Sequence, residues 1–405
     1  MGEVYSIDLV TFISKHLVTF ISKHNLVKKK SKMKICKKCI QPDSRPGIYF
    51  DENGVCGACL WKEEMKSVDW SLREKELHDI AEWAKKTKKG NYDCAIGVSG
   101  GKDSTRQAIV ARDVLGLRCL LVNCEPEDLT DVGGKNIENL KNLGFDVVTV
   151  RPNPEIMKKL IKYDFYKRLN PVRPTEFPLY SSTYIMAERF LIPLIIQGEN
   201  PGLTLGASLT VGKDSNSLKV NQLETLSEGI QDYLEISGVE EKDLFFYTYN
   251  RERLEKNGVK GIWIQYFLKE WSFRENAEFS KKYGFTWNVE NFDPNAVGYY
   301  MSFARLDSDM VPVNQMLKYI KFGFGQCMDD VCYDLREGRI TREQAIELVK
   351  KYDGKCDEKY IKQFCNYIKI SLDEFWNVVN KFRGPMWEKN TKGNWKNTIF
   401  AESLN

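Results

Sequence analysis

Apolar runs alternate with amphipathic stretches in the middle of the chain. Continuous apolar runs predict buried strands at 94–98, 118–124, 146–150 and 194–196. Helical patterns are predicted between and after them, at 105–111, 135–143, 155–169 and 181–191. Strands that alternate with helices predict an α/β fold with a doubly wound, mostly parallel sheet, whose ligands gather at the carboxyl ends of the strands.

The first predicted strand runs into the loop Ser99-Gly100-Gly101-Lys102-Asp103-Ser104, and a helical pattern follows. Two glycines let the backbone approach an anion closely, and the amino end of the helix adds positive potential. The loop lacks the spacing of a mononucleotide P-loop, so it is a different phosphate-binding loop. The alternative is a Gly-Gly turn with polar neighbours that are there by chance.

Each polar residue of this loop has a predicted role. Ser99 and Ser104 supply hydroxyl donors, and Lys102 supplies a mobile cation. Asp103 cannot bind phosphate itself, so it indicates a bridging Mg²⁺. Val122 and Asn123, at the end of the second strand, are predicted to lie beside the loop, where their backbone could contact an adenine edge.

Two segments further along the chain are also candidates. Gln197-Gly198-Glu199-Asn200 follows the fourth strand, and we expect it to line the active site rather than form a routine turn. Lys318 and Lys321 lie one helical turn apart before a glycine-containing stretch. They are either a solvated helix face or a second phosphate contact.

Four of the eleven cysteines form two C-x2-C pairs, Cys36 with Cys39 and Cys56 with Cys59. This spacing is typical of a structural Zn²⁺ site with four thiolate ligands, and the intervening stretch can form the hairpin of a zinc ribbon. A redox pair and an iron–sulfur cluster are the alternatives. The other seven are interpreted as structural, although Cys327 and Cys332 could serve sulfur-transfer chemistry.

The charge distribution and the histidine content exclude some classes of function. Residues 1–32 repeat an octapeptide and carry a net charge of +4, the whole formal charge of the chain. We interpret them as an extension outside the fold, with Met33 as a natural start, and the alternative is a basic amphipathic helix at a membrane surface. Residues 33–405 are therefore neutral, which argues against broad nucleic-acid binding. With only His78 there, Ser-His-Asp and Cys-His catalysis are nearly excluded.

Taken together, the stretch from Met33 to Ile40, the second cysteine pair, the 99–104 loop, residues 197–200 and residues 318–325 resemble the N-acetyl sugar amidotransferases of bacterial surface-glycan biosynthesis. The loop itself resembles that of the ATP pyrophosphatases. The resemblance implies the ATP pyrophosphatase (adenine nucleotide alpha hydrolase-like) fold. The parts expected are an extension at 1–32, a zinc ribbon at 33–70, an ATP-binding domain at 71–210 and a mainly helical substrate-binding region at 211–405.

The resemblance implies an AMP-forming reaction that uses ATP and Mg²⁺. ATP would adenylate the acetamido oxygen of an N-acetylated sugar or nucleotide sugar, and ammonia would then displace AMP to give an acetamidino sugar, as in lipopolysaccharide or pseudaminic acid-type pathways. Lys102 and Asp103 would act in catalysis, and Glu199 would serve the metal or ammonia. We expect a cytoplasmic enzyme with a separate glutaminase partner and no membrane segment. The alternatives are a tRNA-thiolating enzyme and a non-catalytic zinc-ribbon interaction protein.

Overall fold

A five-stranded parallel sheet forms the centre of the computed structural model, which describes residues 33–207, 211–287 and 292–399. The strand order is β3-β2-β1-β4-β5, so the chain winds outward from β1 in both directions and a ligand crevice is expected beside β1. The strands are β1 (Cys94–Val98), β2 (Cys119–Cys124), β3 (Asp146–Val150), β4 (Leu194–Gln197) and β5 (Lys260–Trp263). The predicted doubly wound parallel sheet is confirmed.

Helices flank the sheet and make up most of the described residues beyond it, and the structure describes fifteen of them. The first nine are α1 (Gly57–Glu64), α2 (Trp70–Thr87), α3 (Lys102–Ile109), α4 (Asp131–Asn142), α5 (Pro154–Arg168), α6 (Arg173–Arg189), α7 (Pro201–Thr204), α8 (Arg251–Lys256) and α9 (Phe273–Lys281). The remaining six are α10 (Pro294–Val297), α11 (Val311–Phe322), α12 (Gln326–Arg336), α13 (Arg342–Tyr352), α14 (Glu358–Ile368) and α15 (Leu372–Lys381). A two-stranded hairpin follows, β6 (Trp387–Lys389) with β7 (Trp395–Asn397). The predicted helical carboxyl-terminal region is present.

Side chains alternate between the two faces of β1 because successive residues of a strand point to opposite sides. Ala95 belongs to a core that continues into α5, α6 and the carboxyl-terminal helices. Cys94, Ile96 and Val98 belong to a second core with α2, α3 and α4. The central strand β1 is thus buried on both faces, which is why it reads as a continuous apolar run.

Three elements differ from the sequence predictions. Helix α4 begins at Asp131, earlier than expected, because Thr130 caps the helix through the Gly133 N–H, although glycines disfavour helix interiors. Helix α6 begins at Arg173 and contains Pro178. Strand β5 was not predicted, since its four residues include Gly261.

The amino-terminal cysteine segment packs on the carboxyl-terminal helices. Its hairpin is reduced to isolated antiparallel bridges, Ile35 with Pro42 and Phe50 with Cys56. The four cysteines share one apolar cluster with residues of α12 and α13. Residues 35–405 form one compact unit whose cores cross the predicted divisions at 70 and 210, so those divisions stay predictions. The interpretation of residues 1–32 lies outside the described residues.

Candidate active site and cysteine cluster

The loop after β1 has the shape that its glycines predict. Gly100 has φ +73°, in the left-handed region. A Cβ atom there would lie 3.1 Å from both the Asn136 Cβ and the Ile137 N of α4. The first hydrogen bond of α3 runs from the Thr105 N–H to the Gly101 carbonyl at 3.0 Å. The preceding amides therefore lie at the amino end of α3, where helix geometry leaves N–H groups without intrahelical partners.

A hydrogen-bond network fixes the polar side chains of this loop. Lys102 Nζ lies 2.5 Å from Asp103 Oδ2. Asn276 of α9 donates to Asp103 Oδ1 at 2.6 Å, and Arg106 donates to Asn276 Oδ1 at 2.7 Å. The Ser280 hydroxyl donates to the Lys102 carbonyl at 2.6 Å. Helix α9 thus holds both charged residues of the loop in place.

A cavity of about 250 Å³ opens in front of the loop. It is lined by Ser99 to Asp103, by Gly133 and Asn136 of α4, by Phe273 and by residues 303–307. Lys102 Nζ lies 3.7 Å from the centre of the Phe273 ring. Arg305, from the segment between α10 and α11, also lines the cavity. Its φ of +57° is a strained backbone conformation for a residue other than glycine. Strain of this kind often marks a functional position.

Two carboxylates face this cavity, Asp103 and Asp307. Burial, reinforced by the negative charge of Asp128, raises the pKa of Asp307. Asp128 itself accepts from the Ser308 hydroxyl at 2.8 Å and from the Met310 N–H at 2.6 Å, which fixes the segment that carries Asp307. Carboxylate oxygens are the donors that Mg²⁺ prefers, so these residues fit the predicted ion.

Glu199 lies half-buried beyond β4, on a second cavity of about 300 Å³. Burial raises the pKa of Glu199 to about 7, and the charge of Asp103 adds to this shift while Lys102 opposes it. The carboxyl group therefore sits within electrostatic reach of the loop. Asn200 is buried beside it and donates to the Asp214 carbonyl at 2.9 Å, which shapes the turn.

Ser104 lies outside the lining of the first cavity, and its hydroxyl donates to the Gly101 carbonyl at 3.1 Å. Four predicted site residues beyond the loop lie outside this lining as well. Val122 packs in the core, and Asn123 is buried at the end of β2. Lys318 Nζ lies 2.9 Å from Asp329 Oδ2, and Lys321 donates to the Arg168 carbonyl at 2.7 Å. Burial lowers the pKa of both lysines. The structure does not bring these residues together with the loop in this cavity, and their proposed nucleotide contacts stay predictions.

The four predicted zinc ligands converge on one point. The sulfur atoms of Cys36, Cys39, Cys56 and Cys59 all lie within 4.8 Å of one another and are buried. Two of the separations are 3.9 Å, from Cys36 to Cys59, and 3.6 Å, from Cys39 to Cys56. Tetrahedral Zn²⁺ with bonds of about 2.3 Å holds its sulfur ligands about 3.8 Å apart. The cluster therefore fits a structural Zn²⁺.

Two residues of the cavity, Arg305 and Asp307, had no local signal in the sequence, and neither had Asn276, which holds Asp103. All three lie far from the loop along the chain and carry no motif. Asp307 could have been found only by pairing it with Asp103 in three dimensions. Chain topology, rather than spacing, brings these residues to the loop.

Comparison with known proteins gives a family for one part of the chain. Residues 290–402 match the family described as "LPS biosynthesis protein WbpG-like, C-terminal domain". A search of the curated proteins gave no match. In the part of the chain that the structure describes, every helix is too short or too polar to cross a membrane.

Two of the solved structures that match parts of this chain are synthetases. An NH3-dependent NAD synthetase from Campylobacter jejuni is 15% identical with a TM-score of 0.28, over 47% of this chain and 93% of that one. An NMN synthetase from Francisella tularensis is 14% identical with a TM-score of 0.28, over 56% of this chain and 100% of that one. The family match confirms the resemblance to surface-glycan biosynthesis over its own residues. Residues 290–402 are therefore similar to the WbpG-like C-terminal domain family of LPS biosynthesis proteins.

Proposed function

We propose that this chain is an ATP-dependent glycan-biosynthesis enzyme that converts the acetamido group of a sugar to an acetamidino group. The observation that carries the proposal is the first cavity, where the amino end of α3, Lys102 and Arg305 supply positive charge beside two carboxylates. This combination suits a polyphosphate with its metal ion. The WbpG-like match, which includes Arg305, supports a glycan as the second substrate.

The proposed chemistry needs an activated amide, because an amide carbon is a poor electrophile. The acetamido oxygen would bond to the α-phosphorus of ATP while the bond to the β-phosphate breaks, releasing pyrophosphate. Lys102 and the α3 amides would stabilise the charge that develops on the departing group. Asp103 and Asp307 would hold Mg²⁺, which neutralises phosphate charge when bound.

Ammonia would then attack the activated carbon, and the carbon–oxygen bond to AMP would break to give the amidine. Attack by ammonia releases a proton, which needs an acceptor near the carbon. Glu199, with a pKa of about 7, is poised to accept a proton near neutral pH. We assign it that role.

The same proposal includes a separate glutaminase partner as the source of ammonia. Residues 33–405 contain a single histidine, His78, which lies on α2. Glutamine hydrolysis through a Cys-His-Glu triad is therefore not expected from this chain. Ammonium chloride should support turnover by the purified chain, whereas glutamine should not, and hydrolysis of glutamine by the chain alone would refute this part.

The test of the main proposal is release of AMP and pyrophosphate from ATP in the presence of N-acetylated sugars and ammonium. Lys102→Ala should reduce pyrophosphate release at least a hundredfold, because the lysine contacts both the loop and the cavity. Lys141→Ala, on an exposed position of α4, serves as the matched control and should behave like the parent chain. Equal rates for the two variants would refute the proposal.

The tRNA-thiolating alternative finds less support. It needs accessible cysteines to carry sulfur, and Cys327 and Cys332 are 0% and 1% exposed. Burial also raises the pKa of the Cys327 thiol, which disfavours the reactive thiolate. Both cysteines pack in the cluster beneath the zinc ligands, so a structural role suffices for them.

A further inference from the structure

The second cavity adjoins the first at Phe273, which lines both. The Phe273 ring is contacted by Lys102 Nζ at 3.7 Å and stacks on Tyr333 of α12 with the ring centres 4.2 Å apart. Glu199 lines the second cavity and interacts electrostatically with Lys102 and Asp103. A molecule in the second cavity would therefore lie next to the loop.

Four separate parts of the chain build the walls of this cavity. Helix α1 contributes Trp61, the turn after β4 contributes Glu199, the segment before α9 contributes Trp271, and α12 contributes Tyr333 and Arg336. The wall combines aromatic faces, which pack against the apolar faces of a sugar ring, with many charged side chains, which can bind its hydroxyls. The volume of about 300 Å³ is at the lower end of the range for small-molecule sites.

One polar group in this wall lacks a hydrogen bond of standard geometry. Trp271 is 7% exposed, and its Nε1 makes no hydrogen bond with any residue that the structure describes. The indole faces Glu199, lowering the pKa of that carboxyl against the larger effect of burial. A buried donor that is incompletely satisfied costs free energy, which an acceptor atom of a ligand would recover. This donor points to a polar ligand.

We propose that the second cavity binds the N-acetylated sugar, an inference that rests on the proposed function. The acetamido group would lie at the Phe273 boundary, and the cysteine module (residues 35–64, which end with α1) would form one wall. The acetamido oxygen would then lie between Glu199 and the phosphate cavity. The sugar ring would lie against Trp61 and Tyr333. Nucleotide and sugar thus enter separate cavities that meet at one ring.

The position of the α1 wall depends on the cysteine cluster. Helix α1 begins directly after Cys56 and contains Cys59, so a metal ion held by these two residues would fix the start of the helix. The same module is tied to α7 and its following turn, since the Tyr49 N–H donates to the Gly206 carbonyl at 3.1 Å. The module therefore has a function at the sugar site as well as a role in folding.

Binding of sugars to the full chain tests this assignment. The probes are N-acetylglucosamine, N-acetylgalactosamine and their UDP-linked forms, with glucosamine as the probe that lacks the acetyl group. We expect calorimetry to detect at least one acetylated probe, and the free and UDP-linked forms show whether the nucleotide contributes. Failure of all four acetylated probes to bind the parent chain would overturn the assignment.

Tryptophan variants test whether the probe binds in the second cavity. Trp61→Ala should weaken binding at least tenfold, Trp61→Phe less than threefold, and Trp395→Ala, at a 40% exposed tryptophan of the β6–β7 hairpin, not at all. If Trp61→Ala fails to fold, hydrogen exchange on the parent chain decides: sugar should protect residues 57–64, and an ATP analogue should not. Unchanged exchange there, or unchanged affinity in a folded Trp61→Ala, would overturn the assignment.

A further variant separates this inference from the proposed function. Lys102→Ala should abolish pyrophosphate release while leaving sugar affinity within threefold, because Lys102 lies outside the second cavity. Pyrophosphate release that depends on Lys102, with sugar binding indifferent to Trp61, would reject the sugar site alone. Sugar binding that depends on Trp61, without any pyrophosphate release, would reject the proposed reaction.

Discussion

Glu199 offers a prediction whose size follows from the structure. Burial raises its pKa from 4.5 to about 7. The folded protein therefore binds this proton more tightly than the unfolded chain, and stability must fall as the pH rises from about 4.5 to about 7. Since one pKa unit corresponds to 1.36 kcal/mol, the free energy of unfolding is lower by on the order of 3 kcal/mol above pH 7.5.

Glu199→Gln removes this titration with nearly the same side-chain shape. The variant should match the parent chain near pH 4.5 and should be more stable by on the order of 3 kcal/mol at pH 8. Urea unfolding across this range measures the difference. Glu270→Gln is the matched control, because that carboxylate lines the same cavity but is exposed to water. A difference between parent and Glu199→Gln that is constant with pH, or that is equal in the control, would refute the reasoning.

Three more predictions concern the loop, the cysteine cluster and the strained arginine. Gly100→Ala should lower the free energy of unfolding by about 1 to 2 kcal/mol and reduce pyrophosphate release, because φ is +73° and the new Cβ meets Asn136. An unchanged midpoint of urea unfolding would contradict this. Cys59→Ser should lower bound zinc, measured by elemental analysis, from about one ion per chain to near none, whereas Cys356→Ser should retain it. Arg305→Gln should reduce kcat/KM for ATP about ten- to a hundredfold through loss of a charge-assisted contact, and parent-like kinetics would refute its role.

Local patterns predicted the parts of this molecule that local chemistry determines. The loop after β1 needs glycine at a left-handed position, and the cysteine spacing follows from the geometry of a four-thiolate site. Both features are contained within short stretches of sequence. The central strands β1, β2 and β4 were predictable for a related reason, because burial on both faces favours apolar residues throughout.

Lys318 shows why its site could not be assigned from sequence. A lysine before a glycine-containing stretch looks the same whether it meets phosphate or a carboxylate. In the fold it meets Asp329, and although burial alone would raise the pKa of that carboxyl, Arg45 and Lys318 together hold it at about 2. The partner of Lys318 therefore depends on the tertiary fold, since Arg45, which also pairs with Asp329, comes from the cysteine module far away along the chain.

The glycines at the start of α4 explain both why this helix was predicted to begin too late and how residues 303–307 reach the site. Glycines in its first turn obscured the helix, yet a Cβ atom at Gly133 would lie 2.9 Å from the Asp307 Cα. The Thr130 N–H donates to the Asp307 carbonyl at 3.2 Å, so the 303–307 segment is docked on this turn. Because a larger residue at position 133 would clash with the segment that carries Arg305 and Asp307, the glycine that weakens the helix signal is also the residue that lets this segment complete the first cavity.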